Sequence, residues 1–175
     1  MSNRKGLTLI LTGEGKGKTT SAVGQAVRAR GHGQRVLFIQ FMKGRDVIGE
    51  VEAVLDFGLF DMVQFGRTGF VNPDKPLQED FDLAGQGFKK AKDAVQRGKY
   101  DLIVLDEILG AVHIDLIKLE DVKFLIQTKP DNMHLILTGR DAHPDLVEMA
   151  DLVSEVHSVK HPFDQGIGAQ EGIEY

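Results

Sequence analysis

The 175-residue chain has no cysteine and no tryptophan, only five prolines, and no apolar run approaching a membrane span. Without cysteine there is no disulfide, no zinc–thiolate site and no cysteine-ligated iron–sulfur cluster, and the composition suits a reducing compartment. Any redox electrons the protein uses must come from outside it. A bilayer-spanning helix needs about 20 apolar residues, which no segment supplies. An excess of positive charge is also missing: 21 Lys+Arg stand against 26 Asp+Glu, for a net charge of −5. That balance argues against nucleic acid or anionic membrane as a general partner, but leaves room for a local basic pocket that takes a phosphate-bearing small molecule. Arg4 and Lys5 ahead of Leu7–Leu11 imitate the start of a signal peptide. The run is too short, and Gly13-Glu14-Gly15-Lys16 stands where a small-residue cleavage site belongs. The expectation is a soluble, unprocessed, cytoplasmic protein folded as one domain over residues 1–175, since domains run to roughly 150 residues. A chain of this length buries roughly 70% of its unfolded surface, enough for an unaided core.

Four apolar runs stand out: Leu7–Leu11, Val36–Phe41, Leu102–Leu105 and Leu135–Leu137. They are continuous and do not alternate, as strands buried on both faces of a parallel sheet do. Asp61–Phe65 and Leu152–Val159 are weaker fifth and sixth candidates. Between them lie helical patterns. Ala22, Val23, Ala26 and Val27 recur at helical spacing before Gly31 and Gly33, and Phe81, Ala84, Phe88, Ala91 and Val95 fall on one stripe. Leu119–Gln127 and Pro144–Ala150 read as two more helices. The alternation predicts an α/β fold, a single doubly wound domain with a mostly parallel central sheet, which the glycine-rich turn after the first strand makes P-loop NTPase-like. Gly66–Pro76 and His161–Tyr175 lack periodicity and read as functional loops.

The strongest chemical signal is Thr12-Gly13-Glu14-Gly15-Lys16-Gly17-Lys18-Thr19-Thr20, between the first strand and the first helix. A polyphosphate needs converging backbone N–H groups, glycines that let the backbone approach, and a helix N-terminus behind them. Lys18 is placed to reach the phosphates and Thr19 to meet Mg²⁺. The loop departs from G-x-x-x-x-G-K-[ST], because Thr12 stands where the first glycine belongs. A second signal is Leu102-Ile103-Val104-Leu105-Asp106-Glu107, a buried strand ending in two acids suited to Mg²⁺. Adjacent strand residues point to opposite faces, so the two acids are expected to do different jobs. They could instead merely cap the next helix. A third is Thr138-Gly139-Arg140, where Arg140 could bring a planar, always-charged fork to a phosphate or could simply be a surface arginine. His157 and His161 are four apart, but the stretch reads as irregular and no third metal ligand is evident.

These motifs, with Lys160-His161-Pro162-Phe163-Asp164, Gly166-Ile167 and Ala169-Gln170-Glu171-Gly172-Ile173-Glu174-Tyr175, resemble the ATP:corrinoid adenosyltransferases of the phosphate-loop class. The resemblance runs from about Leu7 to Tyr175, with the motifs in the same order, and the shortened loop is a feature of that family. It implies transfer of the 5′-deoxyadenosyl group of ATP to Co(I) of a corrinoid, with release of inorganic triphosphate. It implies Mg²⁺ (or Mn²⁺) as cofactor, with ATP and a cobalt-containing corrinoid as substrates. It further implies a homodimer and a transient electron donor such as a reduced flavoprotein. Carried over by motif, Lys18, Arg140 and Glu107 are the catalytic candidates. Gly13, Glu14, Gly15, Lys16, Gly17, Lys18, Thr19, Thr20 and Arg28 would bind the nucleotide, Arg28 near its sugar. Thr19, Glu107 and then Asp106 would hold the metal. Phe70 lies where the family places an aromatic beneath the corrinoid ring. Asn72 stands where some members have tryptophan, and Glu14 where asparagine is frequent, a change expected to matter little. Some relatives carry a longer N-terminal arm over the site, so any cover here is expected to come from elsewhere. The competing readings are a phosphate-loop kinase or ATPase acting at the γ-phosphate, and a non-catalytic sensor of ATP and corrinoid.

Overall fold

A computed structural model describes residues 5–44 and 48–174, leaving Arg4 and Tyr175 outside the described residues. Six strands form one sheet: β1 Thr8–Thr12, β2 Val36–Phe41, β3 Asp61–Phe65, β4 Leu102–Asp106, β5 His134–Thr138 and β6 Leu152–Glu155. Their spatial order is β3-β2-β4-β5-β1-β6, and every pairing is parallel. The four continuous apolar runs became the four inner strands, because only inner strands are covered on both faces. Val36 to Phe41 is buried at every position, as is Leu102 to Asp106. The two weaker runs became the two edges. β6 is shorter than the pattern suggested, ending at Glu155 with all four of its residues exposed.

The helices are α1 Lys18–Gly31, α2 Gly49–Asp56, α3 Gln78–Arg97, α4 Ile108–His113, α5 Leu119–Thr128 and α6 Pro144–Met149, followed by a 3₁₀ turn at Pro162–Gln165. On one face of the sheet, Ala22, Ala26 and Ala29 of α1 pack over Val36, Phe38, Leu102, Val104 and Ile136. Small side chains bring α1 close to the sheet, and so its valines lie to the side, with Val27 exposed. On the other face, Ala84, Ala91 and Val95 of α3, Leu125 of α5 and Leu146 of α6 cover Ile103, Leu105, Leu135 and Leu137. Each valine, leucine or isoleucine among them contributes about 1.5–3 kcal/mol when fully buried. Phe81, at the first turn of α3, is 39% exposed and leaves the stripe that the sequence pattern suggested.

From β1 the chain crosses to β2 through α1, whereas from β5 it crosses the other way to β6 through α6. Neighbouring strands whose connections diverge leave a crevice beyond their carboxyl ends, where α/β proteins bind ligands. Here that crevice lies between the loop after Thr12 and the loop after Thr138.

The opposite end of β1 is tied to β6 by Asp151. Its carboxylate accepts from Thr8 N at 2.9 Å and Lys5 Nζ at 2.8 Å. Both bonds hold the carboxyl below its ordinary range, the Lys5 bond foremost. The resulting stability is present above the unfolded value near about 3.9 and is lost as pH falls through the lower folded value. Asp151→Asn is expected to cost about 1 kcal/mol at neutral pH, since Lys5 is solvent-screened. Urea unfolding should show that gap closing as pH falls below the ordinary carboxylate range.

Candidate functional site

A pocket of about 730 Å³ opens at the carboxyl ends of the strands. It is lined by Glu14–Thr20 after β1, Lys43 after β2, Glu107 after β4, Arg140 after β5, and Ser158 and His161 after β6. Its floor is the loop from Gly13 to Gly17 and the start of α1. Helices α2, α3 and α5 each carry two acids in their first turn. Helix α1 carries none, and Gly17 at its N-cap supplies no side-chain acceptor. Its first N–H groups and the positive end of its dipole are left for an anion.

The loop's glycines answer first to the protein itself. Gly15 N donates to Val156 O at 2.8 Å, and Val156 N donates to Thr12 O at 2.8 Å. Gly13 has φ +97°, and a Cβ there would collide with the Val156 carbonyl. The chain just beyond β6 thus braces the loop from behind. Gly13→Ala is expected to cost about 1–3 kcal/mol and to weaken ATP binding, as thermal unfolding and a nucleotide titration would register.

Lys18 is buried and curls back on this loop, donating to Gly13 O at 2.6 Å and Gly15 O at 2.9 Å. Burial lowers its pKa, with the Glu107 carboxylate opposing and Arg140 reinforcing that shift. Glu14 reaches Arg140, its Oε2 lying 3.0 Å from Nη1. Glu14 therefore joins the loop to the arginine after β5. Lys16 Nζ donates to Ile173 O at 2.5 Å and to Glu174 Oε2 at 2.8 Å. The C-terminal tail lies over the phosphate loop, and Phe163, Asp164 and Gly172 line the same pocket. His161 caps the 3₁₀ turn, accepting from Phe163 N at 3.2 Å.

Beneath the pocket runs a buried polar layer across four adjacent strand ends. Gln64 Nε2 donates to Gln40 Oε1 at 2.8 Å, and Gln40 Nε2 donates to Asp106 Oδ2 at 3.1 Å. Thr138 Oγ1 donates to Asp106 Oδ1 at 2.6 Å. Thr19 Oγ1 donates to the same oxygen at 3.0 Å, and Lys43 Nζ reaches Asp106 Oδ2 at 2.7 Å. Asp106 is wholly buried, and these donors account for its tolerance there. Glu107 lies past the strand with φ 63°, a left-handed conformation costly for a residue with a Cβ. Its N–H donates to Thr138 Oγ1 at 2.9 Å. Because this kink replaces the strand's alternation, both acids face one site. Their environments still differ: Asp106 is saturated by donors, while Glu107 opens on the pocket. Burial raises the pKa of Glu107, and the Asp106 charge raises it further.

Among the predicted site residues, Glu14 to Thr20, Glu107 and Arg140 line the one pocket and Asp106 lies below it. Arg28 is not brought there. It is exposed on α1, donates to Gln25 Oε1 at 3.2 Å, and borders a separate hollow with Leu9, His32 and His134. Phe70 is 87% exposed on the loop after β3, outside the lining, with its carbonyl accepting from Arg67 Nη2 at 2.7 Å. Sequence reasoning missed Lys43, Gln40 and Gln64. A polar residue inside the wholly buried β2, and a lysine just past its carboxyl end, were the available signals.

The family described as ATP:corrinoid adenosyltransferase BtuR/CobO/CobP matches residues 4–175. The chain belongs to the ATP:corrinoid adenosyltransferases. A corrinoid adenosyltransferase from Sinorhizobium sp is 39% identical over 178 residues, spanning 99% of this chain and 82% of the relative. One from Escherichia coli (strain K12) is 38% identical, spanning 99% and 87%. Corrinoid adenosyltransferase CobA from Salmonella typhimurium is 37% identical, spanning 98% and 86%. In this adenosyltransferase each lysine and arginine of the pocket is held by a protein oxygen. Lys18 is held by loop carbonyls, Arg140 by Glu14, Lys16 by Glu174 and Lys43 by Asp106.

Proposed function

We propose that this chain transfers the 5′-deoxyadenosyl group of ATP to the Co(I) centre of a corrinoid and releases inorganic triphosphate. The observation that carries the reading is the acid-free, uncapped start of α1 beneath a ring of lysines and Arg140, in a chain of this family. Co(I) attacks C5′, the C5′–O bond breaks, and its electron pair leaves on the triphosphate. Co(I) is already a strong nucleophile, so no general base is required. The protein's part is to hold C5′ and cobalt in line and to stabilise charge on the leaving group. In this reading Lys18 leaves the Gly13 and Gly15 carbonyls for the phosphates, while the loop amides and Arg140 hold the remaining oxygens.

The donor set suits a magnesium ion that arrives with its nucleotide. Among the described residues no group of three or more His, Asp or Glu could cage a metal. Mg²⁺ characteristically takes one or two protein oxygens and completes its shell with phosphates and water. Thr19, Glu107 and Asp106 would hold it, and when bound it would neutralise charge on the leaving triphosphate.

Phe70 would meet the corrinoid, its exposure on the loop after β3 leaving its ring accessible to a ligand. A homodimer, a reduced flavoprotein as electron donor and a cytoplasmic setting complete the reading. The test is anaerobic incubation with ATP, Mg²⁺ and chemically reduced cob(I)alamin. A light-sensitive adenosyl product with stoichiometric triphosphate is expected. ADP with no Co–C bond formed would replace the reading with a kinase or ATPase. Tight binding of ATP and corrinoid without turnover would replace it with a sensor.

A further inference from the structure

Lys43 belongs to no motif that marks the site, yet its Nζ lies 2.7 Å from Asp106 Oδ2 and 3.0 Å from Thr19 Oγ1. Those two side chains are among the three that would hold the metal, and they are themselves 3.0 Å apart. The ammonium thus lies against two of the groups that would hold the metal. Asp106 has no exposed surface, and its other side-chain donors, Thr19, Thr138 and Gln40, are neutral. Lys43 brings the full positive charge that a buried carboxylate needs.

The backbone aims Lys43 there. Met42 has φ 56°, and its N–H donates to Phe65 O at 2.9 Å. Gly44 and Gly66 abut so closely that a Cβ on either would strike the other loop's backbone. The turn after β2 is therefore pinned to the end of β3. The lysine side chain is 26% exposed and also lines the pocket, so its stem can turn toward a bound triphosphate without moving that turn.

We propose that Lys43 is a resident counter-ion: it occupies the metal's place in the nucleotide-free protein and yields it when metal and ATP enter together. Its ammonium then turns from Asp106 to the triphosphate, so that charge is balanced in both states and free divalent cations are refused by the empty site. This rests on the reading that Thr19 and the two acids hold the metal.

Mn²⁺ is the probe. Its binding to nucleotide-free protein, followed by the EPR signal of the free ion, is measured for the unmodified chain, Lys43→Met, Lys43→Gln and Lys43→Arg. The neutral variants are expected to bind Mn²⁺ about tenfold more tightly than the unmodified chain. Lys43→Arg should stay weak. Mn²⁺ should also raise the Tm of Lys43→Met while leaving that of the unmodified protein unmoved. Lys43→Gln keeps a neutral donor for Asp106 and carries the test should Lys43→Met not fold. Equal affinities in all four proteins would overturn the counter-ion. If the unmodified protein with ATP takes up no Mn²⁺ beyond that held by ATP alone, the metal reading beneath it falls as well.

Discussion

Asp106→Ala is expected to abolish adenosyl transfer and to cost about 3–5 kcal/mol of folding stability, the range for breaking a buried ion pair from one side. The change strips the shared acceptor from Thr19, Thr138 and Gln40 and leaves the Lys43 ammonium without its carboxylate. Urea unfolding gives the stability and the anaerobic assay gives the activity. Removing both charges together, as Asp106→Ala with Lys43→Met, should recover part of the lost stability and none of the activity. Replacing both partners of a buried pair spares the cost of an orphaned charge. An Asp106→Ala protein as stable as the unmodified chain would mean that the polar layer under the pocket contributes little to the fold.

Lys18→Met should separate the two effects. Losing one preorganised cation from the leaving group is expected to lower kcat by about 10²–10³. Stability should hold or rise, since burial already disfavours the charged form of Lys18. The sign of the pH dependence follows from that lowered pKa. Between the folded value and the ordinary value near about 10.4, the unfolded chain binds more protons than the folded one. Stability therefore rises with pH across that window, and in Lys18→Met this particular rise should vanish. Unfolding midpoints over the alkaline range check it. A variant with full activity would remove Lys18 from the chemistry.

The sheet was legible because burial on both faces leaves a plain mark: Val36–Phe41 and Leu102–Leu105 have no polar face to alternate with, apart from Gln40. The phosphate loop was legible because its residue types answer to one ligand. Helices α2 and α4, eight and six residues long, are too short for a period of 3.6 to repeat convincingly, and neither has the proline start that marks the equally short α6. The roles of Gln40, Gln64 and Lys43 were illegible for another reason. Each acts through a residue more than 20 positions away, which only strand register brings near. Asp106 and Glu107 show the limit of a local rule. The strand's alternation would have parted them, and the left-handed turn at Glu107 returned both to one site.

Among the described residues, the first strand pairs with two strands that come late in the chain, β5 and β6. The loop after it is braced by Val156. During synthesis, Thr8–Thr12 and the glycines behind it therefore emerge with nothing to pair against until some 130 further residues have been added. Contacts this distant in sequence are slow to form, and domains grow from the N-terminus as they leave the ribosome. A strand that precedes its partners by so much sequence consequently takes shape late. A nascent or C-terminally clipped chain would carry the whole phosphate-loop sequence and still have no grip on ATP.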